Sequence, residues 1–185
     1  PMLWVSIILM ICAGASELSM AQWASAYAES ALGLSKTVGD LVGPCMFAIM
    51  MGVSRMIYGK FGDRINLMKY MIGSGVLCLI CYIVASVSDQ TMAGLIGCVV
   101  CGFSVGIMWP GTISISIQKI PMGGTALFAF LAMAGDMGAS IGPGIVGMVT
   151  QRANDDLHIG LLAGCIFPAV LIVAIVLLKF LRTAD

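Results

Sequence analysis

Residues 67–87 read LMKYMIGSGVLCLICYIVASV, twenty-one positions that carry a single charge, Lys69, near the start. As a helix rising about 1.5 Å per residue, such a run covers roughly 30 Å, the thickness of a bilayer's hydrocarbon core. An unbroken apolar run of this kind excludes a transmembrane β-barrel, whose strands alternate over about ten residues. Working outward, five further runs lie between polar breaks, at 2–32, 36–58, 91–118, 124–150 and 157–181. Ser35 stands where an N-cap of the second run belongs. The connections are short. The expected fold is an all-α membrane protein, a six-transmembrane-helix bundle that fills residues 1–185 as one domain.

Composition leads to the same class. Of 185 residues 60% are hydrophobic and only 10% charged, with a mean hydropathy of +1.06. A soluble domain carries about 25% charged residues. Nine basic against nine acidic side chains leave no net charge, so no basic surface exists to grip nucleic acid. The 23 glycines suit helices that approach one another closely.

Direction follows from the basic residues. With the N-terminus inside, Arg55, Lys60, Arg64, Lys69, Lys119, Lys179 and Arg182 fall on the cytoplasmic side, and only Lys36 and Arg152 outside. The positive-inside rule therefore favours an N-in/C-in arrangement. Pro1-Met2-Leu3-Trp4-Val5 has no basic flank. Met2 to Cys12 with Ala13-Gly14-Ala15 mimics a signal peptide but lacks its charged start.

Two patterns imitate chemistry. Cys78-x₂-Cys81 and Cys98-x₂-Cys101 have the spacing of a zinc site. Both pairs fall inside apolar spans, where four thiolates would place net charge in a low dielectric, so the cysteines are expected to pack as small apolar side chains. Gly102-Phe103-Ser104-Val105-Gly106 matches the nucleophile elbow of hydrolases, but the elbow requires a strand–turn–helix setting that a helical span does not offer. No metal and no cofactor are expected.

Polar residues at membrane depth point to a function. Glu17 and Asp136 both lie roughly 20 Å from the start of their spans. A charge there costs at least about 2.5–3.5 kcal/mol and usually faces a cavity or a partner. Both are proton-coupling candidates, although Gly135 and Gly138 beside Asp136 suggest close helix contact. Ser16, Ser19, Trp23, Tyr27 and Ser30 form one stripe of the first span, suited to stacking on a small polar ligand. Glu17 and Gln22 flank that stripe on opposite sides, and a break near Gly14 would reconcile them. Gly102, Gly106, Trp109-Pro110-Gly111 and Ser114 mark the fourth span as bent, because Pro removes a backbone hydrogen bond. Gly135, Gly138, Gly142, Pro143-Gly144 and Gly147 give the fifth span the same character.

The loop after the second span reads Gly59-Lys60-Phe61-Gly62-Asp63-Arg64-Ile65-Asn66. It resembles the G-x-x-x-D-R loop motif of the major facilitator superfamily, with Asn66 in place of that family's second Gly. The wider chain resembles helices seven to twelve, the C-terminal half of such a transporter. Gly14-Ala15-Ser16-Glu17, Trp23 and Tyr27, then Gly43-Pro44, Met51-Gly52 and Arg55, then Gly106-Ile107-Met108-Trp109-Pro110, are closest to the fucose-permease-like sugar/proton symporters. Gly138, Gly142-Pro143 and Gly147 are similar to the superfamily's Gly-Pro helix motif.

The resemblance implies alternating access about a midplane site between two six-helix halves. The first and fourth spans would line the cavity, and the second and fifth would slide against the other half. Glu17, Gln22, Trp23, Tyr27 and Trp109 would bind substrate, with Glu17 or Asp136 carrying a proton. Gly59, Asp63 and Arg64 would form the cytoplasmic gate. The expected function is secondary active transport of a small, polar, sugar-like solute across a bacterial cytoplasmic (inner) membrane. The partners would be the solute, the lipid bilayer and a second six-helix half. That half would be the rest of a longer chain, which the abrupt start favours, or a second copy. The competing reading is a non-transporting six-helix assembly or scaffold.

Overall fold

A computed structural model describes residues 2–180, apart from the side chains of Ser30, Ala31 and Asp63. Leu181 and Arg182, the expected end of the sixth span and one of the inside charges, lie outside the described residues. Eight α-helices follow in order: α1 Met2–Leu32, α2 Lys36–Phe61, α3 Leu67–Val87, α4 Thr91–Val105, α5 Met108–Lys119, α6 Gly124–Arg152, α7 Leu157–Gly164 and α8 Ile166–Phe180. With α4–α5 and α7–α8 each taken as one span, six are long and apolar enough to cross a membrane. There is no strand among the described residues.

The helix ends follow local chemistry. Gly33 closes α1 at φ +63°, and the Leu34 N–H donates back to the Glu29 carbonyl at 3.2 Å. That is the geometry of a Schellman cap, which needs a left-handed residue. The Asn66 side chain accepts from the Lys69 N–H at 3.1 Å and caps α3. Asp156 likewise accepts from the His158 N–H at 2.9 Å at the start of α7. Ser35 occupies the N-cap position of α2, but there its main-chain carbonyl takes the Gly39 N–H and its side chain makes no cap.

Both broken spans have a proline just beyond the break. Pro110 follows the α4–α5 junction at Gly106-Ile107, and Pro168 follows the α7–α8 junction at Cys165. A proline four residues on leaves a carbonyl without its helical partner and bends the helix there.

The first helix is the axis of the bundle, touching α2, α4, α5, α6, α7 and α8. The main core joins α1, α3, α4 and α8 through Met20, Tyr27, Met71, Tyr82, Cys98, Leu171 and Ile175. Met10, Leu127, Leu131 and Ala134 form a smaller cluster between α1 and α6. The cysteine pairs belong to the main core. Cys78 and Cys101 sulfurs lie 3.7 Å apart, and the Cys98 thiol donates to Met20 Sδ at 3.4 Å. No group of metal-ligating side chains occurs among the described residues.

Tyr82, fully buried, donates its hydroxyl to the Ser16 carbonyl at 2.8 Å and ties α3 to α1. Interhelical hydrogen bonds in membrane proteins average about 0.6 kcal/mol. Tyr82→Phe is expected to lower the thermal unfolding midpoint in detergent by an amount equivalent to about 0.5–1 kcal/mol. A loss several times larger would mean that the Tyr82 ring, not its hydroxyl, had moved.

Burial is uneven. Only 17% of the most apolar window of the α2 span and 28% of that of the α6 span are buried, against 44–61% in the other four. Their outward faces carry Leu41, Ile49 and Met56, and Phe130, Met133 and Ile141.

Candidate functional site

One groove of about 430 Å³ is lined by Glu17, Arg55, Trp109, Pro110 and Ile113. Three spans meet there, since α1 brings Glu17, α2 brings Arg55 and α5 brings the rest. Pro110 lacks an N–H, so the Gly106 carbonyl has no donor four residues on. Arg55 supplies one, with Nε donating to that carbonyl at 3.0 Å. The next bond of the ladder, from the Gly111 N–H to the Ile107 carbonyl, is restored at 2.7 Å. The bend of the fourth span and the placement of Arg55 are therefore one feature.

Pro110→Ala would return the missing N–H and set it in competition with Arg55 for Gly106. A continuous α4–α5 helix is expected, with a higher thermal unfolding midpoint in detergent. A lower midpoint would show that packing around the bend outweighs the restored bond.

Two polar atoms in this groove are buried without a hydrogen-bond partner among the described residues, Glu17 Oε2 and the Trp109 indole Nε1. One is an acceptor while the carboxyl is ionised and the other is a donor. The Trp109 ring extends over Gly135 of α6, where an added Cβ would stand 2.6 Å from the ring carbons. Gly135 thus makes room for the indole, and the close contact expected beside Asp136 is real.

Asp136 itself points elsewhere. It is exposed beside Met133, Met137, Ser140 and Ile141 on the outward face of α6, and its main-chain carbonyl accepts from Ser140. The aromatic stripe of α1 also diverges from Glu17, because α1 runs unbroken through Gly14. Trp23 is half-buried against the main core, and Gln22 is exposed. Tyr27 is buried and donates to the Ala85 carbonyl at 2.7 Å. Ser16 and Ser19 are buried, and the Ser30 side chain lies outside the described residues. Among the expected substrate residues, then, the groove unites Glu17 and Trp109, and it adds Arg55.

The loop motif sits at the foot of α2. Gly62–Arg64 forms a short 3₁₀ turn, Gly59 and Arg64 are exposed, and the Asp63 side chain lies outside the described residues. Beneath the turn Tyr58 and Tyr70 stack at 5.8 Å, and the Tyr70 and Ser54 hydroxyls are hydrogen-bonded at 3.1 Å. The Ser104 hydroxyl, the nucleophile of the hydrolase-like pattern, is buried and donates to the Cys101 carbonyl at 2.7 Å. His158 lines a different cavity, with Tyr27 and Asp89.

The sequence profile of the Major Facilitator Superfamily matches residues 1–143. The chain belongs to the Major Facilitator Superfamily. An uncharacterised MFS-type transporter of Yersinia pestis is 24% identical to it over 162 residues, 86% of this chain and 42% of that protein. The chain thus spans less than half the length of the curated relative it matches. Membership makes it an integral, multi-pass membrane protein of a transporter family rather than an enzyme, and six apolar helices are what one half of that fold contains. Proteins of this superfamily move small-molecule solutes.

Proposed function

We propose that the chain forms the C-terminal half of a secondary active transporter that moves a small, polar, sugar-like solute by alternating access. The observation that carries the reading is the groove, where the carboxyl oxygen of Glu17 and the indole N–H of Trp109 lie buried and unpartnered beside a bent helix. Unsatisfied polar atoms at membrane depth are costly and mark a place where a ligand's polar groups are received. Glu17 also carries the coupling proton.

The exposed faces of the second and fifth spans support a second six-helix half packed against them. Asp136, on the outward face of α6, then lies at that seam and is the second proton-coupling candidate. Gln22, Trp23 and Tyr27 stand further along α1 and meet the solute when the cavity opens at their end. Gly59, Asp63 and Arg64 serve as the gate at the cytoplasmic side in an N-in/C-in arrangement within a bacterial inner membrane. The pattern of glycines and aromatics supports kinship with fucose-permease-like symporters.

The test is counterflow of labelled sugars, related small polyols and the corresponding sugar acids into proteoliposomes holding the complete native polypeptide. Saturable counterflow whose half-saturation rises about tenfold in Trp109→Ala is expected, the size of losing one indole hydrogen bond and its packing. Unchanged half-saturation would remove Trp109 from the cavity, and no saturable counterflow at all would favour the scaffold reading.

A further inference from the structure

The groove contains a cation that the sequence pattern does not assign to the site. Arg55 lies six residues before the end of α2, about 9 Å along the axis from Phe61. It is inside an apolar span, not in the loop. Its Nε is committed to the Gly106 carbonyl at 3.0 Å. The guanidinium is planar, so fixing Nε fixes the direction of its two outer nitrogens as well. Those nitrogens have neither a hydrogen bond nor an ion pair with any described residue.

Glu17 lines the same groove and feels the Arg55 charge across it, but the two stand beyond the distance of a direct salt bridge. The arrangement is an anchored fork on one wall, a carboxyl group and an indole N–H on the others, and space between them. A fork held by one nitrogen is pre-organised to take a carboxylate with the remaining two, because two parallel N–H donors match the two oxygens. A neutral polyol could use Glu17 and Trp109, but with Glu17 protonated it would leave the outer nitrogens of the guanidinium without a charged acceptor in the groove.

Resting on the transport reading above, we infer that the solute is a small organic anion, a hydroxylated carboxylate. Arg55 binds the carboxylate, the Trp109 indole donates to a hydroxyl oxygen, and the Glu17 carboxyl receives a further hydroxyl. With Glu17 protonated, Arg55 and the solute's carboxylate cancel, so the loaded groove is neutral. Arg55 is then the specificity-determining residue for acid over neutral sugar.

The complete native polypeptide in detergent tests this through thermal unfolding with a matched panel. Sodium gluconate, lactate and succinate are compared with glucose, sorbitol and glycerol, with sodium chloride controlling for ionic strength. A carboxylate is expected to raise the midpoint saturably, and its apparent affinity is expected to fall about tenfold or more in Arg55→Gln, one charge-assisted bidentate contact's worth. Arg55→Lys keeps the charge without Nε or the fork, and is expected to fall between wild type and Arg55→Gln. Stabilisation by the neutral compounds alone, unaltered in Arg55→Gln, would overturn the anion assignment and leave the transport reading standing. No saturable shift with any compound would overturn both.

Discussion

Accumulation driven by a proton gradient is expected to fall about tenfold or more in Glu17→Gln, while exchange of solute across the membrane at equal pH persists. The argument rests on what Gln can and cannot imitate. Glu17 is half-buried, one carboxyl oxygen has no partner, and its groove opens between α1, α2 and α5. An ionised carboxylate at that depth carries a penalty of at least about 2.5–3.5 kcal/mol, and in the proposed cycle Glu17 holds its proton when loaded and gives it up to the side on which the cavity opens. Gln copies the shape and neutrality of the protonated acid and can never release a proton. The loaded carrier still crosses, and exchange continues. The step that returns an empty, deprotonated carrier is lost, and with it net uphill flux. The pH dependence of transport should flatten accordingly. Undiminished accumulation in Glu17→Gln at every pH tested would end the proton role. Loss of exchange together with accumulation would place Glu17 in solute binding alone.

Much of the fold could be read from the chain because a bilayer leaves so few options. Every backbone group must be satisfied within its own segment, so long apolar runs such as 67–87 become helices. The bend of the fourth span was legible for a related reason: Pro110 cannot bond to Gly106, and Gly106 itself lets α2 come close. The consequence of that bend was not legible. A carbonyl released in a membrane needs a donor, and the one it takes, Arg55, belongs to another helix and looked like a loop charge from its position near the end of the second span. An Arg inside an apolar run, in a chain with a Gly-x₃-Pro break elsewhere, is the signal that could have raised the question.

Direction around a helix was harder to read than depth. Asp136 falls in the middle of α6, where Gly135 and Gly138 take the face that meets α1 and Trp109, so the carboxylate is turned outward. The expected stripe of Ser16, Ser19, Trp23, Tyr27 and Ser30 follows from the helical repeat alone. Steps of about 100° then carry that face away from Glu17 once the helix continues unbroken through Gly14. A residue's type gives the cost of burying it, whereas its neighbours decide which way it points.

The contact between α1 and α6 yields the largest expected loss of stability. These two helices share the most extensive interface in the bundle, and they meet backbone to backbone. A Cβ at Gly138 would run into the carbonyl oxygen of Ile11, and one at Gly14 into that of Gly135. A flexible side chain could swing aside from such a clash, but a carbonyl within a helix cannot. Gly138→Val should therefore exceed the usual overpacking cost of about 1–3 kcal/mol and leave little folded protein in detergent. Gly138→Ala should lower the thermal midpoint by several degrees. Gly144→Ala is the control on the same helix, since no described residue lies within 4 Å of its Cβ position. There the better helix propensity of Ala, worth up to about 1 kcal/mol, should hold or raise the midpoint. Equal behaviour of the two alanine variants would mean that α1 and α6 stand further apart in the bilayer. The indole of Trp109 would then lose the shallow seat that Gly135 gives it, and the groove would lose one of its walls.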